Sequence, residues 1–260
     1  MGTATFDFTG DVVLITGGTK GVGRGIAARF EQAGAQVVVC ARSAGDNRLP
    51  GTWDFRAADV RDGEQAWELV DGIVATHGHI DVVINNAGGS PPVETASAAP
   101  RLTERIVALN LLAPLYVSQR ANHHMQGRAG GGAIVNIGSV SAQRQSPTAA
   151  AYGAAKAGMA NFAMTAAHEW APRVRINTVM AGIIRTEQAT MHYGNDAAIA
   201  RIEGIIPMGR MATPDDIADA CMYLASSAAV YVTGATVLLD GGGDRPAFLD
   251  ALEAHDVRNG

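Results

Sequence analysis

Seven short runs rich in valine and isoleucine, most followed by a longer stretch of helical character, constrain this chain more than any other feature of its sequence. The runs cover 11–16, 36–41, 53–60, 81–87, 132–139, 174–181 and 236–240, and most are apolar throughout rather than alternating. A strand that is apolar on both sides needs cover on both sides, which a parallel sheet obtains from helices packed on its two faces. Helices are predicted near 22–33, 63–77, 103–127, 150–171, 195–204 and 214–227. The last opens Thr213-Pro214-Asp215-Asp216, a capping residue followed by proline and acids in the first turn. Repeated βα units without a break in composition predict one doubly wound α/β domain over 1–260. Its core is a seven-stranded parallel sheet, and ligands are expected beyond the carboxyl ends of the strands.

Composition narrows the partners. The net charge of -5 without basic clusters argues against nucleic acid or an anionic membrane surface. The start, MGTATFDFTGD, has no basic stretch leading into an apolar run, and no run approaches a membrane span, so a cytoplasmic protein off the membrane is expected. Two cysteines, Cys40 and Cys221, cannot build a disulfide framework or a cysteine-rich metal site. The pairs His77/His79 and His123/His124 lack the i, i+4 spacing of helical ligands, and no metal is expected.

The first run, DVVLIT, passes directly into Gly17-Gly18-Thr19-Lys20-Gly21-Val22-Gly23 and then into a helical pattern. Glycines at 17, 21 and 23 let the backbone turn tightly and approach a pyrophosphate, while the helix start offers N–H groups and the positive end of its dipole. The spacing G-x-x-x-G-x-G differs from G-x-G-x-x-G, and no Gly-Lys-Ser/Thr follows to make a Walker loop. The second run ends Cys40-Ala41-Arg42, where an acid would favour NAD and an arginine can receive the 2′-phosphate of NADP. With Lys20 in the phosphate loop, two cations converge there, and NADP(H) is expected over NAD(H).

A second local signal is AYGAAKAG at 151–158, where Tyr152 precedes Lys156 by four positions in a chain whose lysines are Lys20 and Lys156 alone. Chance supplies such a pair roughly 0.04 times in a chain of this composition. Positions i and i+4 share a helix face, so the two side chains are neighbours if the segment is helical.

In these motifs the chain resembles the short-chain dehydrogenases/reductases, in particular the 3-oxoacyl-carrier-protein reductase type. The resemblance runs from Gly10 to Gly242: TGGTKGVG at 16–23 matches the family's TGxxxGxG loop, Asp59-Val60 its adenine-contacting pair, and NNAG at 85–88 its fourth-strand motif. Asn110 matches the family's catalytic asparagine, Ser139 its serine, and YGAAK its YxxxK. The resemblance implies a Rossmann fold and hydride transfer between a nicotinamide dinucleotide and a carbonyl or secondary alcohol. It further implies cofactor contacts from Asn86, Ala87, Gly88, Gly182, Ile184 and Thr186, a substrate-covering segment over 187–210, and a homotetramer packed through the helices near 103–127 and 150–171. A tail over 244–260, with Phe248, Leu249 and Leu252, is expected to reach towards a neighbouring site. The chain departs from the family at Ala181, where Pro-Gly is usual before the nicotinamide loop.

The chemistry explains the residue types. A free tyrosine, with a pKa of about 10, needs roughly 4 kcal/mol in favour of phenolate to reach about 7. A lysine ammonium about 4 Å away at an effective dielectric near ~20 supplies about that much. Ser139, ending a strand, can donate a hydrogen bond to the reacting oxygen, and it can equally cap a strand end. Asn110 sits in an apolar helix, where it supports either a water-linked proton path to the lysine, as the family implies, or a buried structural amide. A hydrolase is disfavoured because no G-x-S-x-G surrounds Ser139. A catalytically silent dinucleotide sensor or scaffold of the same fold is the alternative, against which the presence of serine, tyrosine and lysine speaks.

Overall fold

The computed structural model describes residues 2, 4–45, 48–187, 189–246 and 249, with the side chains of 191 and 192 excepted. In chain order its elements are β1 (Val12–Thr16), α1 (Gly21–Gln32), β2 (Gln36–Ala41), β3 (Asp54–Ala57), α2 (Gly63–His77) and β4 (Val82–Asn85). Then come α3 (Pro100–Val107), α4 (Ala113–Gln126), β5 (Gly132–Ser139), α5 (Ala150–Trp170) and β6 (Val174–Ala181). The chain continues through α6 (Ala189–Tyr193), α7 (Asp196–Ile205), α8 (Pro214–Ala225) and β7 (Thr236–Leu239). All seven strands pair in parallel in the order β3-β2-β1-β4-β5-β6-β7.

Successive residues of β1 explain why its run is apolar throughout. Val12 and Leu14 enter the layer formed with Leu69 and Ile73 of α2, Val117 and Met125 of α4, and Ala163 and Ala167 of α5. Val13 and Ile15 enter the opposite layer with Ile26, Ala27 and Phe30 of α1 and Ile217, Cys221 and Leu224 of α8. Both cysteines are free and buried, Cys40 in the first layer and Cys221 in the second. The strand order reverses between β1 and β4, so the loops leaving these two strands diverge and leave a crevice at their carboxyl ends.

Boundaries differ from the sequence expectation where tertiary contacts intervene. The strand expected over 53–60 shrinks to Asp54–Ala57, because it is an edge strand paired only to β2. Beyond it Asp59 turns to hold Arg61, and Asp62 caps α2 by accepting from the Glu64 and Gln65 amides. The single helix expected over 103–127 begins earlier, at Pro100, and is interrupted by a π-helical turn over Ala108–Leu112. The segment 187–210 contains α6 as well as α7, and its Ala189, Ile199 and Ile206 form with Met211, just beyond it, a third, separate apolar cluster. Of the tail, Phe248 and Leu252 lie outside the described residues. Among the described residues no helix is long and apolar enough to cross a membrane.

Candidate active site

The crevice is built from the end of β1 outward. The buried Thr16 hydroxyl accepts from the Asn86 and Ala87 amides at 3.0 Å each. The Asn86 carboxamide in turn donates to the carbonyls of Thr16 at 2.9 Å and Gly17 at 3.2 Å. These bonds staple the glycine loop to the loop after β4. A Cβ at Gly23 would lie 2.4 Å from both Asn86 Nδ2 and the Gly17 carbonyl oxygen, so only glycine allows this approach. At Gly21, with φ of +55°, a Cβ would meet nothing nearer than Thr186 Cγ2 at 4.0 Å. The backbone at the start of α1 is therefore open to close approach, a cradle that fits a pyrophosphate.

From this cradle a cleft of about 560 Å³ runs across the strand ends. Gly17, Lys20, Gly21, Val22, Gly23, Arg42, Asp59 and Val60 line one part, and Asn86, Ala87, Gly88, Ser139, Tyr152, Lys156, Gly182, Ile184 and Thr186 the rest. Two predicted residues are absent from the wall. Thr19 is buried beside the loop. Asn110 stands behind the wall in the π-helical turn, with its Oδ1 accepting from the Gly89 amide and its Nδ2 donating to the Gly89 and Ile106 carbonyls, all at 2.9 Å. A Cβ on Gly88 would sit 2.8 Å from Asn110 Oδ1 and 3.2 Å from Lys156 Nζ, so the asparagine and the lysine flank that glycine. Thr16, the first residue of the glycine-loop motif, acts as the staple, Tyr193 of the 187–210 segment lines the wall, and Arg61, Gly89 and Leu109 join it there without having been assigned from the sequence.

Comparison with known proteins matches residues 17–244 to the family model described as enoyl-(acyl carrier protein) reductase. A solved structure from Sinorhizobium meliloti, assigned to the short-chain alcohol dehydrogenases, agrees with a TM-score of 0.83 at 32% identity, covering 92% of this chain and 98% of its own. The chain belongs to the short-chain dehydrogenase/reductase family. It is 34% identical to 3beta-hydroxysteroid dehydrogenase 1 of Eggerthella lenta over 250 residues, 91% of this chain and 94% of that protein. D-threitol dehydrogenase of Mycolicibacterium smegmatis is 32% identical over 251 residues, 91% of this chain and 95% of that protein. This short-chain dehydrogenase/reductase is accordingly an NAD(P)-dependent oxidoreductase that moves a hydride between a nicotinamide dinucleotide and an alcohol or carbonyl of a small molecule.

At one end of the enzyme's cleft three side chains converge. Ser139 ends β5, and Tyr152 and Lys156 lie in the first two turns of α5. The close packing of α5 on the loop after Ser139 brings them together: a Cβ on Gly153 would lie 2.6 Å from the Ser141 carbonyl oxygen. Burial pushes the Tyr152 phenol above its ordinary pKa, a hydrogen bond with Ser139 opposes this, and the nearby Tyr193 adds to the rise. Lys156 Nζ lies 5.8 Å from the Tyr152 ring centroid and donates to the Ile137 carbonyl at 2.7 Å. Burial draws its pKa down to about 8. The i, i+4 relation does bring lysine to tyrosine, and burial acts on both groups, raising the phenol and lowering the ammonium.

At the other end Asp59 is held by Arg61, whose Nε donates to Oδ1 at 2.8 Å, and this pairing keeps the carboxyl below its usual range. Arg42 also draws this carboxyl down, and Lys20 lines the same cleft. The histidines find tertiary partners that spacing could not show: His77 Nε2 lies 2.9 Å from Asp54 Oδ2, and His124 Nε2 lies 2.7 Å from Asp71 Oδ1. Among the described residues no group of three or more His, Cys, Asp or Glu side chains could hold a metal ion.

Proposed function

We propose that Tyr152 is the general acid/base of the hydride transfer, with Ser139 donating to the same substrate oxygen and Lys156 supplying positive charge beneath it. The observation that carries this reading is the convergence of these three side chains at one end of a cleft whose other end is the glycine cradle. The bound dinucleotide supplies or accepts the hydride and, when oxidised, adds a positive charge to the site. Tyr152, raised by burial, holds its proton at neutral pH and is ready to give it to an oxygen that gains charge during carbonyl reduction. In the reverse direction it must lose that proton, and the Lys156 ammonium favours the phenolate. Asn110 serves as a positioning residue that fixes Gly89 and, across Gly88, the lysine.

Gly17, Lys20, Gly21, Val22 and Gly23 hold the pyrophosphate in this reading, with Thr19 buried behind the loop and Asp59 and Val60 at the adenine. Asn86, Ala87, Gly88, Tyr152, Lys156, Gly182, Ile184 and Thr186 line the nicotinamide half. Lys20 and Arg42, joined by Arg61, favour the 2′-phosphate of NADP(H). A single domain carries both cofactor and substrate, with 187–210 covering the latter. The enzyme works in the cytoplasm as a homotetramer joined through α4 and α5, and the 52% exposure of Met164 on α5 supports that contact face.

Tyr152→Phe tests the central assignment: kcat is expected to fall by about 10²-fold or more while the dinucleotide Kd changes little. Near-normal kcat in that variant overturns the assignment. Paired titrations with NADPH and NADH test the cofactor preference, which Arg42→Ala should reduce by weakening NADPH selectively.

A further inference from the structure

The segment that leaves β6 returns to the main fold through a narrow neck. Ile184 and Ala212 form a parallel bridge, the Arg185 amide donates to the Ala212 carbonyl at 2.8 Å, and the Ala212 amide donates to the Ile183 carbonyl at 3.0 Å. Beyond the neck the segment has its own small apolar cluster, and its far end is bonded to the chain after β7, where the Met208 amide donates to the Gly241 carbonyl at 3.1 Å and the Arg245 amide to the Ile205 carbonyl at 3.0 Å. Its near end is tied back across the cleft by Glu187. The Gly21 amide, at the first position of α1, donates to Glu187 Oε1 at 2.8 Å, across 166 positions of sequence. The helix has no such partner nearby, because its N-cap, Lys20, makes no side-chain cap and its first turn carries no acid.

We infer that Glu187 is a carboxylate latch that competes with the dinucleotide's pyrophosphate for the start of α1, and so sets how tightly the cofactor is held and how fast it leaves. The inference rests on the reading that the glycine loop binds the dinucleotide. Both anions need the same amide and the same positive dipole end, and two anions at one helix start repel each other. Cofactor entry therefore lifts Glu187 and with it the root of the covering segment. Re-engagement of the carboxylate opposes the bound phosphate and speeds its departure, which couples the covering segment to the cofactor without any contact to substrate.

The test is a direct titration of NADPH and NADH into the full-length protein and its Glu187→Ala variant, with stopped-flow measurement of dissociation. Glu187 is exposed, so the change removes nothing from the core. Loss of the competing carboxylate is expected to lower Kd by roughly twofold to fivefold and to slow dissociation by a similar factor, the range set by one exposed charge at a helix terminus. Glu187→Gln, measured alongside, apportions the effect between charge and hydrogen bond. A Kd in Glu187→Ala that is unchanged or higher than the parent's overturns the latch while leaving the cofactor reading intact. If the parent and the alanine variant both bind neither dinucleotide, the cofactor reading fails and the latch fails with it.

Discussion

Lys156 shows how far a single side chain is governed by its surroundings. It is 3% exposed, its ammonium meets a backbone carbonyl, and burial lowers its pKa from 10.5 to about 8. The native protein therefore releases this proton at lower pH than the unfolded chain does. Between these two values the unfolded state binds more protons, so this lysine makes stability rise with pH through that window. Compared with Lys156→Met, which has nothing to titrate there, the parent's unfolding free energy should climb from about pH 8 to about pH 10.5. Denaturant titrations of both proteins across that range provide the check, and a constant difference would mean that the lysine is not desolvated. Burying a charge where chemistry needs one costs stability, and the site retains it for function.

At the scale of elements, the cleft depends on helices that position backbone rather than on side chains alone. The π-helical turn over Ala108–Leu112 sets Asn110 behind the cleft wall, where its carboxamide holds Gly89 and takes up the Ile106 carbonyl. α8 begins with a capping box in which Thr213 and Asp216 satisfy each other's backbone amides. Its first residue, Pro214, packs directly on α1, where a Cβ at Gly25 would come within 2.3 Å of it. Thr213→Ala should cost about 1 kcal/mol and lower Tm by roughly 2–4 °C. Calorimetry measures this directly, and an unchanged Tm would mean that the cap contributes nothing. Dinucleotide affinity should hold, since the cap stabilises α8 without touching the cradle.

Over the whole molecule, two apolar layers clamp the sheet, and the cleft opens only at its carboxyl edge. Phe30 lies fully buried in the α1–α8 layer, edge to face with Phe8 at 4.8 Å between ring centroids. Phe30→Ala should lower unfolding free energy by about 3–5 kcal/mol while the folded fraction keeps its kcat. A matched loss of kcat would show that this layer also shapes the site. The segment over 187–210 has its own small cluster and meets the main fold at the neck of Ile184 and Ala212 and again where Met208 and Ile205 bond the chain after β7.

The strands, most of the helices, the glycine loop and the Tyr152–Lys156 pair were legible because each is written in neighbouring residues. Apolar runs report burial on two faces, Gly17, Gly21 and Gly23 report a backbone that must come close, and a four-residue interval reports one helix face. Order along the sheet, the shortened β3, the π-helical turn, the Thr16–Asn86 staple and the Glu187–Gly21 bond were not legible. Each depends on which distant segments meet, as when 166 residues separate a carboxylate from the amide it occupies. The proton affinities of Tyr152 and Lys156 belong with these. Spacing placed them side by side, and only the packed interior decided how much solvent each would lose.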